Sequence, residues 1–141
     1  MNTAKSIPKA EQSDRFQRGL AQLKAIDGEV GEQVIESLKE IAPDLARYVI
    51  EFPFGDIYSR PGLDLKSREI ATIAALTAMG NARPQLKVHI QAALNVGCTR
   101  EEIMEVVIQM AVYAGFPAAL NGISVVKEIF NHEDLGSWVK N

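Results

Sequence analysis

The sequence predicts an all-α protein built from about seven short helices. Three observations predict it. Apolar residues recur at three- and four-residue spacings along most of the chain. No stretch alternates apolar and polar residues over a useful strand length. Glycines and prolines fall between the periodic segments, where helices stop and start. At 141 residues and 47% apolar, the chain suits one core. Residues 1–10 read as a flexible N-terminal arm, 11–131 as a single helical domain and 132–141 as a polar C-terminal tail.

A first helix is expected from about Ser13 to Ile26, with Phe16, Leu20, Leu23 and Ile26 on one face and Gly28 as its stop. A second runs from about Val30 to Ile41 through Val34 and Leu38. Pro43 fits the first turn of a third helix, which carries Leu45, Tyr48, Val49 and Phe52 and should end before Pro53. Phe54 to Gly62 then reads as a dense loop, with two aromatics, two glycines, Asp56 and Arg60. A fourth helix starts near Asp64. Its interior from Ile70 to Met79 has almost no polar face, which predicts burial on all sides. A chain this small has little room for such a helix, so a subunit interface covering part of it is expected. The fifth helix spans about Pro84 to Val96 and stops at Gly97. Thr99 and Glu102 form a capping box for the sixth, which runs to about Ala114. Gly115 and Pro117 separate it from the seventh, which ends near Phe130. In the tail, Trp138 is the residue expected to dock.

Composition narrows the function classes. Net charge is −3 and the Lys and Arg residues are scattered, which argues against a nucleic-acid partner. The longest nearly apolar run, Ile70 to Gly80, is too short to span a bilayer, and the first twelve residues lack a signal-like apolar core. One cysteine, Cys98, allows no intramolecular disulfide, so the cytoplasm is the expected compartment. A packed Cys98 is the simpler reading, although a helix N-terminus can activate a thiol.

His89 is the first candidate for chemistry. It sits at the edge of an apolar face made by Leu86, Ala92 and Ala93. It is either a core histidine bonded to a backbone carbonyl or a general acid–base working near neutral pH. Glu69, on the preceding helix, is either a solvated charge near a helix N-terminus or the partner of His89. Two antiparallel helices joined near Ala82 would leave Glu69 about 8 Å beyond His89 along the axis. A crossing angle, a water or a substrate would have to close that gap. Arg60 and Arg68 are candidate carboxylate forks, and with Asp56 and Tyr58 they suggest a polar pocket near a helix N-terminus. Pairing with Glu40 and Glu51 is the structural alternative. No metal-ligand spacing, phosphate loop or activated-serine signature is found, and no metal or cofactor is expected.

The segments Phe54–Leu63, Leu86–Gly97, Thr99–Val106 and Ala111–Ala119 together resemble the carboxymuconolactone decarboxylase family, within the alkyl-hydroperoxidase D-like superfamily. The likeness covers roughly residues 14 to 130. It implies an all-helical, self-associating fold, a trimer or hexamer. The peroxidase branch uses a Glu, a CxxC pair and a His. Glu69 and His89 match the Glu and His, but Ala82 and Gln85 stand at the cysteine positions. The resemblance therefore implies no thiol peroxidase activity. The decarboxylase pattern has an Asn and a His where this chain has Leu120 and Ser124, and often lacks an acid at Glu69.

The activity implied is cofactor-free decarboxylation of 4-carboxymuconolactone, or of a related small lactone or oxo-acid, in aromatic catabolism. Arg60, Arg68 and Tyr58 would bind the substrate, His89 would deliver a proton or steady an oxyanion, and Glu69 would orient or replace it. The competing reading is a helical oligomer that binds a small acid without turning it over.

Overall fold

A computed structural model describes residues 13–134. The N-terminal arm, Trp138 and most of the expected tail lie outside them. Among the described residues the elements are α1 (Asp14–Lys39), α2 (Pro43–Val49), a π-helix (Ile50–Ile57), α3 (Leu65–Met79), α4 (Arg83–Asn95), α5 (Arg100–Ala114) and α6 (Phe116–Asp134), with no strand. The all-α expectation holds. The chain forms two compact units, the first ending at Leu65 and the second beginning at Lys66.

In the first unit, α1 starts at Ser13, whose hydroxyl accepts from the Phe16 amide at 3.2 Å. The span Asp14–Lys39 is two helical stretches that part at Gly28, as expected, where φ 58° and ψ −142° leave the helical path. That left-handed φ is one glycine adopts at little cost. Pro43 opens α2 as expected. The expected stop before Pro53 is not observed, and the dense loop is largely helical. Pro53 lacks an amide hydrogen and would break an α-helix, but the chain here widens to i→i−5 bonding. The Tyr58 amide donates to the Pro53 carbonyl at 2.7 Å, five residues back.

α1 packs across this π-helix at two glycines. A Cβ on Gly19 would lie 2.0 Å from the Ile50 carbonyl oxygen, and one on Gly55 2.6 Å from that of Arg15. Side chains of α1 then collect the polar groups at the end of the π-helix. Arg18 Nε donates to the Gly55 carbonyl at 2.7 Å, and Gln22 Nε2 to that of Tyr58 at 3.2 Å.

In the second unit, α5 pairs with α6, and α4 also packs on α6. Ile73, Leu86, Ile90, Ile103, Val107, Val125, Val126 and Ile129 fill the core between them. Each such side chain contributes about 1.5–3 kcal/mol by leaving water. α4 ends in a complete Schellman motif. The Cys98 amide donates to Ala93 and the Gly97 amide to Leu94, with Gly97 at φ 99°. The Thr99–Glu102 capping box forms as expected, and the Thr99 backbone amide holds the Glu102 carboxyl below its usual range. α6 continues past Phe130 to Asp134, where Arg100 Nη2 bonds Asp134 Oδ1 at 2.7 Å. The expected burial of α3 on all sides is not found within the chain. Glu69, Ile73 and Thr77 form its buried face, while Ala71, Ala75, Ala78 and Met79 are exposed. No helix among the described residues is long and apolar enough to cross a membrane.

Candidate active site

Glu69 sits in the second turn of α3, with none of its surface exposed. It is not the solvated charge that its place near a helix start would suggest. A carboxylate taken out of water needs a group to share its charge. His89 on α4 provides it, with Nδ1 2.9 Å from Glu69 Oε2. The other carboxylate oxygen, Oε1, has no hydrogen-bond partner among the described residues.

The partner of His89 at Nδ1 is therefore a side chain. No intervening water or substrate is needed. α3 and α4 are not a tight antiparallel hairpin along their lengths, so the axial offset estimated from sequence does not apply. The His89 side chain keeps 20% of its surface exposed. The pair thus joins a sealed acid to an imidazole that solvent reaches. A carboxylate at Nδ1 fixes the ring and sets the tautomer, and the chemistry of such a ring runs through Nε2.

Arg68 is half-buried in the first turn of α3, where its carbonyl accepts from Thr72 Oγ1 at 2.9 Å. Arg60 and Tyr58 belong to the first unit. Arg60 is exposed, with its amide donating to Ile57 at 3.1 Å. The Tyr58 ring stacks on Phe54 at 5.4 Å.

Asp56 is not available to a pocket. Arg15 grips it through Nε at 3.0 Å and Nη2 at 2.6 Å, and Arg18 lies 3.6 Å away. The Arg15 hydrogen bond holds its carboxyl below the usual range. Glu51, one of the two acids in the structural alternative for Arg60 and Arg68, pairs with Arg15 and Arg47 at 3.4 Å each. Cys98 is buried, its thiol 3.6 Å from the Lys66 carbonyl oxygen, in keeping with the packed reading. Sequence reasoning missed Arg15 as the partner of Asp56, because a 41-residue separation leaves no local signal. It also passed over Thr77, although a hydroxyl two turns beyond Glu69 in an apolar run was visible.

A sequence model described as the carboxymuconolactone decarboxylase family matches residues 43–128. The chain belongs to that family. It is 32% identical to 4-carboxymuconolactone decarboxylase of Acinetobacter baylyi, over 86% of this chain and 90% of that protein. It is also 30% identical to nitrosuccinic acid decarboxylase npaB of Metarhizium robertsii, over 72% of this chain and 73% of the relative. An uncharacterized 15.0 kDa protein of Paracoccus denitrificans is 33% identical over 71% of this chain and 75% of its own length. Two of these relatives thus carry decarboxylase names with different acids in them. Decarboxylation of a small molecule is the activity to which this family membership points.

Proposed function

We propose that the protein is a cofactor-free carboxy-lyase acting on 4-carboxymuconolactone, or on a related small lactone or oxo-acid, in the catabolism of aromatic compounds. The observation that carries the proposal is the Glu69–His89 hydrogen bond, with its acid sealed and its imidazole reachable. The names of the two decarboxylase relatives support it, because their acids share a chemistry. In each, the carbon that loses CO2 can pass its electrons to an acceptor in the same molecule, a conjugated lactone carbonyl or a nitro group. The substrate then supplies its own electron sink.

In this reading the carbon–carboxylate bond breaks, CO2 leaves, and the electron pair moves through the double bond onto the lactone carbonyl oxygen. His89 Nε2 returns a proton to carbon and is reprotonated from solvent. Glu69 holds the ring at Nδ1 while its charge changes. Arg60 and Arg68 take the substrate carboxylates as planar forks, with Tyr58 as a further contact. The working unit is a trimer or hexamer, and the expected compartment is the cytoplasm.

The test is turnover of 4-carboxymuconolactone followed by mass spectrometry, with nitrosuccinate as a second substrate. His89→Ala is expected to slow the reaction about a hundredfold or more, the scale of a group aimed at developing charge. An unchanged rate on a substrate the wild type turns over would remove His89 from the mechanism. Saturable binding without turnover of either acid would favour the acid-binding oligomer instead.

A further inference from the structure

The second unit contains a cleft that the Glu69–His89 pair does not use. It lies where the last turn of α3, the first turn of α4 and α6 meet, and it encloses about 190 Å³. That is space for roughly six waters at about 30 Å³ each. Leu76, Leu86 and Val125 give it apolar walls, and Thr77, Arg83 and Asn121 add polar groups. Glu69 and Thr77 share a face of α3 but stand eight residues apart, about 12 Å along the axis. Ile73, with no exposed surface, lies between them.

Two observations give this cleft the character of a ligand site. The first is the Thr77 hydroxyl. Thr77 is 1% exposed, yet Oγ1 has no hydrogen-bond partner among the described residues. A threonine inside a helix commonly returns its hydroxyl to the carbonyl four residues back, as Thr72 does to Arg68. Thr77 makes no such bond, and a buried hydroxyl left unbonded is costly. Gly122 faces it from α6, where a Cβ would stand 2.9 Å from Thr77 Cγ2 and 3.5 Å from Oγ1.

The second observation is charge. α4 begins at Arg83 without any side-chain cap, so the positive end of its dipole is left to the cleft and solvent. Arg83 Nη2 reaches Ser124 Oγ at 3.1 Å and stands 3.7 Å from Glu128 Oε2, while Lys87 Nζ takes Glu128 Oε1 at 2.7 Å. Arg83, the cation that lines the cleft, shares the Glu128 carboxylate with Lys87, which favours a further anion beside it.

We propose that this cleft binds a small monocarboxylate with an apolar body. Its carboxylate accepts from the Thr77 hydroxyl and faces Arg83 and the start of α4. Its body lies along Leu76, Leu86 and Val125. The site is separate from the candidate active site and does not depend on the decarboxylase reading.

Benzoate is the probe, titrated into the full chain by calorimetry at neutral pH, with benzamide as the uncharged control. Benzoate is expected to bind at least tenfold more tightly than benzamide. Arg83→Gln, at an exposed position, should weaken benzoate at least tenfold. Thr77→Val keeps the shape and removes the hydroxyl; it should weaken benzoate severalfold without lowering Tm. His89→Ala should leave benzoate affinity unchanged. No benzoate binding, equal affinity for benzamide, or indifference to both cleft variants would overturn the proposal. Loss of benzoate in His89→Ala would do so too, by assigning the probe to the Glu69–His89 pair.

Discussion

Glu69 concentrates the argument at the scale of single residues. It is a fully buried carboxylate with one oxygen on an imidazole and the other without a hydrogen-bond partner among the described residues. Solubility does not call for an acid there, and packing alone would favour an apolar side chain. Its effect is on His89: an acceptor at Nδ1 keeps the proton on that nitrogen and the lone pair on Nε2 whenever the ring is neutral. Glu69→Gln tests this as a positioning role. The amide can still bond the ring, but it no longer shares the charge of a protonated one. We expect kcat on the authentic substrate to fall about tenfold or more with KM little changed, and the pH profile of kcat to shift. Such a loss reflects weaker stabilisation of the reacting state, with ground-state binding kept. An unaltered pH profile would reduce Glu69 to a structural partner.

At the scale of elements, the α1–π-helix crossing is the most constrained contact, because backbone meets backbone at Gly19 and Gly55. Gly19→Ala places a methyl 2.0 Å from the Ile50 carbonyl oxygen, and neither backbone can yield without displacing its helix. We expect a loss at or above the upper end of about 1–3 kcal/mol in urea unfolding. Gly62→Ala, with nothing within 4 Å of the new methyl, should stay within about 0.5 kcal/mol. The contrast shows what was legible in the sequence. The Thr99 cap, the Gly97 stop and the Pro43 start rest on neighbouring residues and read directly. Pro53 misled because the stop rule assumes an α-helix, and this segment winds as a π-helix in which the Pro53 carbonyl accepts from Tyr58. The Gly19 contact, more than thirty residues from its partners, left no local trace. At the candidate site, Glu69 and His89 were legible as residue types in apolar company. Their direct contact was not, because the distance estimate assumed an antiparallel hairpin packed along its length.

At the scale of the whole molecule, large apolar side chains remain uncovered in both units. Val112, Tyr113, Phe116 and Leu120, at the end of α5 and the start of α6, are between 65% and 78% exposed. Ile41, Leu45, Tyr48 and Phe52 leave a second exposed set on the first unit. A few exposed apolar residues are ordinary, but neighbouring large ones on adjoining turns mark association surfaces. With the exposed alanines of α3, they support the proposed self-association. Light scattering after gel filtration should find wild type as a trimer or hexamer. The double variant Val112→Glu, Phe116→Glu should shift it to a smaller species with unchanged helicity. A monomeric wild type would refute the self-association reading.

The π-helix also bears on how the length of this segment can change. Its wide turns hold Asp56 against Arg15 and Gly55 against α1 only at the present residue count. Removing one residue between Pro43 and Gly55 would shift the register of the segment against α1. Asp56 would leave Arg15, and a side chain would enter the space that Gly55 keeps open. Drift in side-chain identity can be absorbed here as long as Gly55 and Asp56 stay, whereas a change in length cannot. The segment works as a fixed-length ruler against α1.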